Sequence, residues 1–211
     1  MLKSPAEVDA LSSRIAPRLR SSEHALVAMD APLGWPIGLA ASLTGHQAGQ
    51  PVDGDSATLF NRETDRIVAE RIRKRPLDVG ADKIARAAHT GLGVLARLRD
   101  LTGYVLPLAW DSGYSGRAVI EVYPAATLKS RGLPDSGYKK AEEIEVRRRI
   151  ARAISDEVPE LVTKCRERAD IFDACLCLIA AKDFLDGVAM PPDDVDLARR
   201  EGWIWVRARD Q

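Results

Sequence analysis

Ala25-Leu26-Val27-Ala28-Met29-Asp30-Ala31-Pro32-Leu33-Gly34-Trp35-Pro36 is an apolar run that breaks off in a carboxylate and then in turn residues. Residues 25–29 read as a buried strand, and Pro32, Gly34 and Pro36 end it at once. Leaving an ionised Asp30 at the rim of a core costs several kcal/mol unless a metal, a cation or hydrogen-bond donors compensate it. In open α/β sheets, ligands bind just outside the carboxyl ends of the strands. Asp30 therefore stands where such a fold places its chemistry.

Outward from that strand the hydrophobic period alternates. Ser4-Pro5-Ala6-Glu7 reads as an N-cap, a proline at the first helical position and a capping-box glutamate, opening a short helix through Leu11 and Ile15. Residues 38–59 carry Gly45, Gly49, Pro51 and Gly54 and read as a long surface loop with a little helix at its start. Asn61 can cap a helix running to about Lys74, closed by Pro76. From Asp82 to about Arg99, apolar residues at Ile84, Ala88, Leu92, Leu95 and Leu98 predict a long amphipathic helix ending near Gly103.

A second strand is predicted at Ala118 to Tyr123, stopped by Pro124 after a second carboxylate, Glu121. Helix patterns then occupy roughly 139–156 and 170–186, the latter carrying Asp170 and Asp173 on one face. A last short helix follows Pro191-Pro192 and ends at Gly202, and Trp203-Ile204-Trp205-Val206 reads as a terminal strand or apolar strap.

Composition bounds the function. The 211 residues, 45% hydrophobic and 29% charged, suffice for one core and are read as a single domain, 1–211. Lys and Arg together equal Asp and Glu at 31 each, so no global field draws the chain to nucleic acid or membrane, and a polyanion has to be met by a local patch. Cys165, Cys175 and Cys177 lack paired zinc spacing and read as buried thiols in a reducing cytoplasm. Nothing resembles a membrane helix or a signal peptide, which gives a cytoplasmic expectation and no membrane partner.

Two strand-borne carboxylates, Asp30 and Glu121, and two on a helix, Asp173 and Asp170, form the candidate constellation. Carboxylate oxygens and water hold hard cations such as Mg2+, and a two-metal site needs several such groups converging on ions about 3.5–4 Å apart. Phosphodiester chemistry suits that arrangement. The same residues have plainer readings: an Asp before Ala-Pro can be a turn residue, and Asp170 can cap its helix. Tyr138 and Lys139 precede a helix start that can receive an anion, or simply begin the helix. Arg66, Arg71, Arg73, Lys74 and Arg75, and Arg147 to Arg149, read as solvated basic faces or as phosphate contacts. Trp35 can stack a base or pack under the 38–59 loop.

Six blocks, Val27 to Pro36, Phe60-Asn-Arg-Glu-Thr-Asp-Arg66, Pro76-Leu-Asp-Val-Gly-Ala-Asp-Lys83, Val119-Ile-Glu-Val-Tyr-Pro-Ala-Ala126, Asp170-Ile-Phe-Asp-Ala174 and Glu201-Gly-Trp-Ile-Trp205, stand in an order that resembles domain-of-unknown-function family 429. That family is similar to a set of predicted nucleases of ribonuclease H-like fold. The resemblance implies an α/β architecture, a mixed sheet flanked by helices, with an acidic site at the carboxyl end of its central strands. It places Asp30, Glu121 and Asp173 as catalytic metal ligands for Mg2+ or Mn2+, with Asp170 adjacent. Arg62 and Asp65 fall in an Arg-x-x-Asp block, where Arg62 would help a phosphate or an acidic ligand, and Lys139 joins them as a substrate-binding candidate.

The resemblance also implies a glycine-rich first strand with the first catalytic Asp, followed by two more strands. Nothing between Met1 and Leu26 reads so, and the expected sheet is N-terminally incomplete, its first three strands missing. The edge of the 25–29 strand would then be unpaired, which predicts self-association. The function expected is a metal-dependent nuclease with nucleic acid as partner; the alternative is a noncatalytic binding or regulatory module that keeps the fold.

Overall fold

The structure, a computed structural model, describes residues 4–80, 82–140, 142–158 and 168–209. Helix α1 spans Pro5–Ser21. Its capping box forms as the sequence predicts, with the Glu7 amide donating to Ser4 Oγ at 3.3 Å and the Ser4 amide to Glu7 Oε2 at 3.1 Å. The helix runs on past Ile15 and through Pro17, because Ala16 and Leu19 still have a core to enter. Strand β1, Ala25–Met29, follows at the predicted bounds.

Residues 38–59 hold more helix than expected. Helix α2, Ile37–Leu43, and α3, Ser56–Phe60, flank the glycine-bearing loop, and Asp55 caps α3 through the Ala57 amide at 3.1 Å. The helix predicted to start at Asn61 instead has Arg62 at its N-cap: α4 is Glu63–Ile67, and a π-helical turn, Val68–Ile72, continues it. Arg73 ends that turn at φ 61°, a left-handed conformation uncommon for a residue with a Cβ. Helix α5, Asp82–Thr102, matches its expected period, with Ala88, Val94, Leu95 and Leu98 buried, and Gly103 closes it at φ 74°.

Strand β2, Arg117–Glu121, lies parallel to β1 in a register that sets Ala25 against Arg117 and Met29 against Glu121. Pro124, read from sequence as a stop, also starts α6, Pro124–Ser130, since a proline at the first helical position surrenders no intrahelical bond. Helix α7 is Ile144–Ala153, shorter than the predicted stretch, α8 is Ala169–Leu185, and α9 is Val195–Glu201. None of these helices is long and apolar enough to cross a membrane.

The result is a mixed α/β molecule with a small parallel sheet. Among the described residues, β1 and β2 are its named strands. One face carries Ala25, Val27 and Met29 against α1 and α5 through Ala16, Leu19, Val94, Leu95 and Leu98. The other carries Leu26 and Ala28 against α8 through Cys177, Ala180, Ala181 and Phe184. The C-terminal Trp203–Val206 forms a buried strap rather than a full strand, touching the sheet through the Trp205 amide to the Glu121 carbonyl at 3.0 Å. Arg207 anchors it to buried Asp183 at 2.7 Å.

Two side-chain expectations are corrected here. Arg147 is buried, not on a solvated face, because its guanidinium donates to the carbonyls of Tyr138 at 2.5 Å and Lys140 at 2.7 Å. Cys175 is disulfide-bonded rather than a free thiol, Cys177 is the buried free thiol, and Cys165 lies outside the described residues.

Candidate functional site

Because β1 and β2 run parallel, their carboxyl ends lie together, and each end bears an acid. Glu121 is the last residue of β2, only 3% exposed, with its carboxylate turned into the protein. Oε2 accepts from the Leu33 amide at 2.9 Å and from Arg62 Nη1 at 2.8 Å, and Oε1 from Arg62 Nη2 at 2.7 Å. The contact is the bidentate fork that suits guanidinium to carboxylate. Asp65 grips the same Arg62 through Nη2 at 2.9 Å and Nε at 3.1 Å, and also takes the Arg62 backbone amide at 2.9 Å. The remaining Nη1 contact reaches the Glu201 carbonyl at 3.3 Å.

Every donor of this guanidinium is thus committed inside the protein. Burial pulls Arg62 down, but the charges and hydrogen bonds of Glu121 and Asp65 outweigh it and hold the guanidinium above its ordinary value. The Glu201 carboxylate, itself buried, ties the starts of two helices by accepting from the Ile37 amide at 2.9 Å and the Glu63 amide at 2.8 Å. Backbone must approach closely here. A Cβ on Gly34 would sit 2.4 Å from the Glu201 carbonyl oxygen, and one on Gly202, at φ 86°, would meet Arg62 Nη1 at 3.0 Å and Glu121 Oε2 at 3.1 Å.

Asp30 immediately follows β1 and is open to solvent on one side. On its other side the protein crowds it enough to push its carboxyl up to about 6. Burial is the largest cause, Lys139 opposes it, and the negative charges of Asp173 and Glu121 reinforce it. Asp173 projects from α8 and is positioned by two donors from the segment ahead of α7, the Tyr138 hydroxyl at 2.8 Å and Lys139 Nζ at 2.7 Å. The Lys139 side chain remains 55% exposed. One turn along α8 the Cys177 thiol is raised by burial and by the charges of Asp30 and Asp173, against the lowering effect of Lys139 and of the Asp30 backbone. Burial and Asp30 also raise the Tyr123 hydroxyl.

The structure therefore brings together Asp30, Asp173 and Lys139 of the residues chosen from sequence. Glu121 joins them by charge but is engaged with Arg62, and Arg62 and Asp65 face the interior rather than a substrate. Asp170 is 63% exposed and pairs with Arg168 at 2.7 Å. Among the described residues, no three His, Cys, Asp or Glu side chains form a group able to hold a metal ion. Sequence reasoning passed over Tyr138 as the partner of Asp173, Glu201 as a double helix tether, and the Gly34–Gly202 approach. Only the last left a signal, a glycine in each of two otherwise bulky blocks.

A family model described as Protein of unknown function (DUF429) matches residues 6–209. No curated protein and no solved structure matches the chain.

Proposed function

The chain belongs to the family described as Protein of unknown function (DUF429), a description that carries no activity, and we propose from its own site that it hydrolyses phosphodiesters with the help of a divalent cation. The observation that carries this reading is the meeting of Asp30 and Asp173 beside the carboxyl ends of two parallel strands, with the exposed Lys139 ammonium paired to Asp173. A ribonuclease H-like frame belongs to the same proposal.

The four-carboxylate set read from sequence does not suit a metal, because Glu121 spends its oxygens on Arg62 and Leu33, and Asp170 pairs with Arg168. Asp30 and Asp173 do suit one, since Mg2+ commonly takes one or two carboxylates and completes its shell with water and substrate phosphate. When bound, Mg2+ or Mn2+ supplies Lewis acidity to the phosphoryl oxygen and a water of lowered pKa. Asp30 offers its solvent-facing carboxylate, and Tyr138 fixes the rotamer of Asp173. Lys139 is free on its exposed side to meet a phosphate oxygen. Arg62 and Asp65 act at one remove by holding Glu121 in place at the end of β2.

A second reading, a binding module without catalysis, is favoured by the same commitment of Glu121, which leaves two carboxylates at the site rather than three. Calorimetry with Mn2+ on the wild type and on Asp30→Asn, alongside cleavage assays on single-stranded and duplex DNA and on RNA, separates the two. Wild-type binding that weakens at least about tenfold in Asp30→Asn, the scale of one lost ligand interaction, with cleavage of a nucleic acid, is the expected result. Binding without cleavage supports the module, and absence of Mn2+ binding overturns the cation site.

A further inference from the structure

Helix α7 carries a buried arginine that grips the turn ahead of it. In the turn 137–140 the Lys140 amide donates to the Gly137 carbonyl at 2.9 Å and Gly137 takes φ 78°, so Tyr138 and Lys139 are its two central residues. Arg147, 2% exposed, donates from Nη1 to the Tyr138 carbonyl at 2.5 Å and to the Lys140 carbonyl at 2.7 Å. Ile150 of the helix and Ile154 just after it share a buried cluster with Phe172, Leu176 and Ile179 of α8, which fixes Arg147 relative to Asp173. The chain entering the turn is held as well, by the pairing of Asp135 with Lys74 at 2.7 Å.

The two central residues each take one oxygen of Asp173, and they do so differently. The Tyr138 hydroxyl donates to Oδ1 at 2.8 Å from a buried ring whose centroid lies 6.0 Å from that of Phe172, so packing fixes this contact. Lys139 Nζ meets Oδ2 at 2.7 Å from a side chain that is 55% exposed. An ion pair so open to water holds weakly. Its charge also reaches Asp30. Lys139 therefore sits on the oxygen that a divalent cation shared by Asp30 and Asp173 would need, and like charges do not share it. Only the flexible stem has to move for Oδ2 to be vacated, because Arg147 keeps the backbone in place. The freed ammonium stays within one side-chain length of the site and can turn its three donors to an anion there.

We propose that Lys139 is an exchangeable arm on a turn pinned by Arg147: it holds Asp173 before a divalent cation binds and passes to a phosphate oxygen once one is bound, so that cation and phosphodiester each tighten the other's binding. The inference rests on the cation site proposed above and adds to it a coupling between two ligands, which is necessarily reciprocal. Arg147 touches neither ligand and is a positioning residue.

Calorimetric titration of Mn2+ into the full chain, with dimethyl phosphate present or replaced by sodium chloride of equal ionic strength, tests it. In the wild type dimethyl phosphate is expected to tighten Mn2+ binding about fivefold or more, within the usual range of such couplings. In Lys139→Met, Mn2+ alone is expected to bind more tightly than to the wild type, and most of the tightening by dimethyl phosphate to be lost. Arg147→Met is expected to reduce that tightening too, whereas a residue that only supported the fold would change both titrations alike and leave their ratio unaltered. A tightening that Lys139→Met leaves intact comes from the cation alone and overturns the proposal. This variant alters an exposed side chain and keeps the test decisive if Arg147→Met fails to fold. A tightening that a folded Arg147→Met leaves intact overturns the positioning role. Mn2+ binding with no response to dimethyl phosphate overturns the coupling but leaves the cation site standing, and no Mn2+ binding at all removes both.

Discussion

At Asp30 the chemistry and the stability of the protein pull in opposite directions. Its folded pKa of about 6 lies above the roughly 3.9 of an unfolded aspartate. The folded chain therefore binds the extra proton between those values, and this residue's contribution to stability is greatest below about pH 4 and falls as pH rises to 6. In a dry site two units would amount to about 3 kcal/mol; because Asp30 is open to solvent, on the order of 1 kcal/mol is expected. Urea unfolding of wild type and Asp30→Asn should show the variant gaining that much, relative to wild type, between pH 4 and pH 7. Glu121 behaves differently, because its charge is matched in place. Glu121→Gln or Arg62→Met strands a buried partner and should lower stability by about 3–5 kcal/mol in the same assay, so loss of activity in Glu121→Gln would report on folding rather than on a metal ligand. Lys139→Met removes the ammonium that competes for Asp173, and calorimetry should find Mn2+ bound severalfold more tightly, on the order of 1 kcal/mol for an exposed charge. Weaker binding would instead make Lys139 part of the cation site.

Among the elements, the backbone around the Arg62–Glu121 pair tolerates least. The turn after β1 and the end of α9 come so close that a methyl group on Gly34 would overlap the Glu201 carbonyl, and Gly202 combines a positive φ with contact to both members of the ion pair. Gly34→Ala or Gly202→Ala should each lower stability by about 1–3 kcal/mol through backbone shift or strain, read as a lowered denaturation midpoint with an unchanged slope. These two positions explain a difference between sequence and structure. Gly34 reads locally as a strand terminator and Gly202 as a helix terminator, and both readings hold, yet their shared reason is a contact 168 residues apart along the chain. The helix expected from Asn61 to Lys74 differs for a related reason: Arg62 must stand at the N-cap for its guanidinium to lie against Asp65 and reach Glu121.

Over the whole molecule, zero formal charge and widespread pairing of basic residues limit any contact with a polyanion. Arg71 pairs with Asp193, Lys74 with Asp135, and Arg75 reaches Asn61. Nucleic-acid affinity should therefore be weak, with a log–log salt slope of magnitude below about 2, equivalent to one or two phosphate contacts; anisotropy titrations across salt concentrations measure it. A steeper slope would reveal a basic surface that these pairs do not tie up. The sequence by itself determined the two apolar strands that end in acids, the capped α1, the amphipathic α5 and the helix bearing Asp173, because period and capping are local properties. It also brought Asp30, Asp173 and Lys139 onto one short set of candidates. Only the tertiary structure decided which acids remain open and which are matched. Asp30 and Glu121 read alike along the chain, and what separates them is a guanidinium 59 residues from Glu121, folded in until all its donors were used.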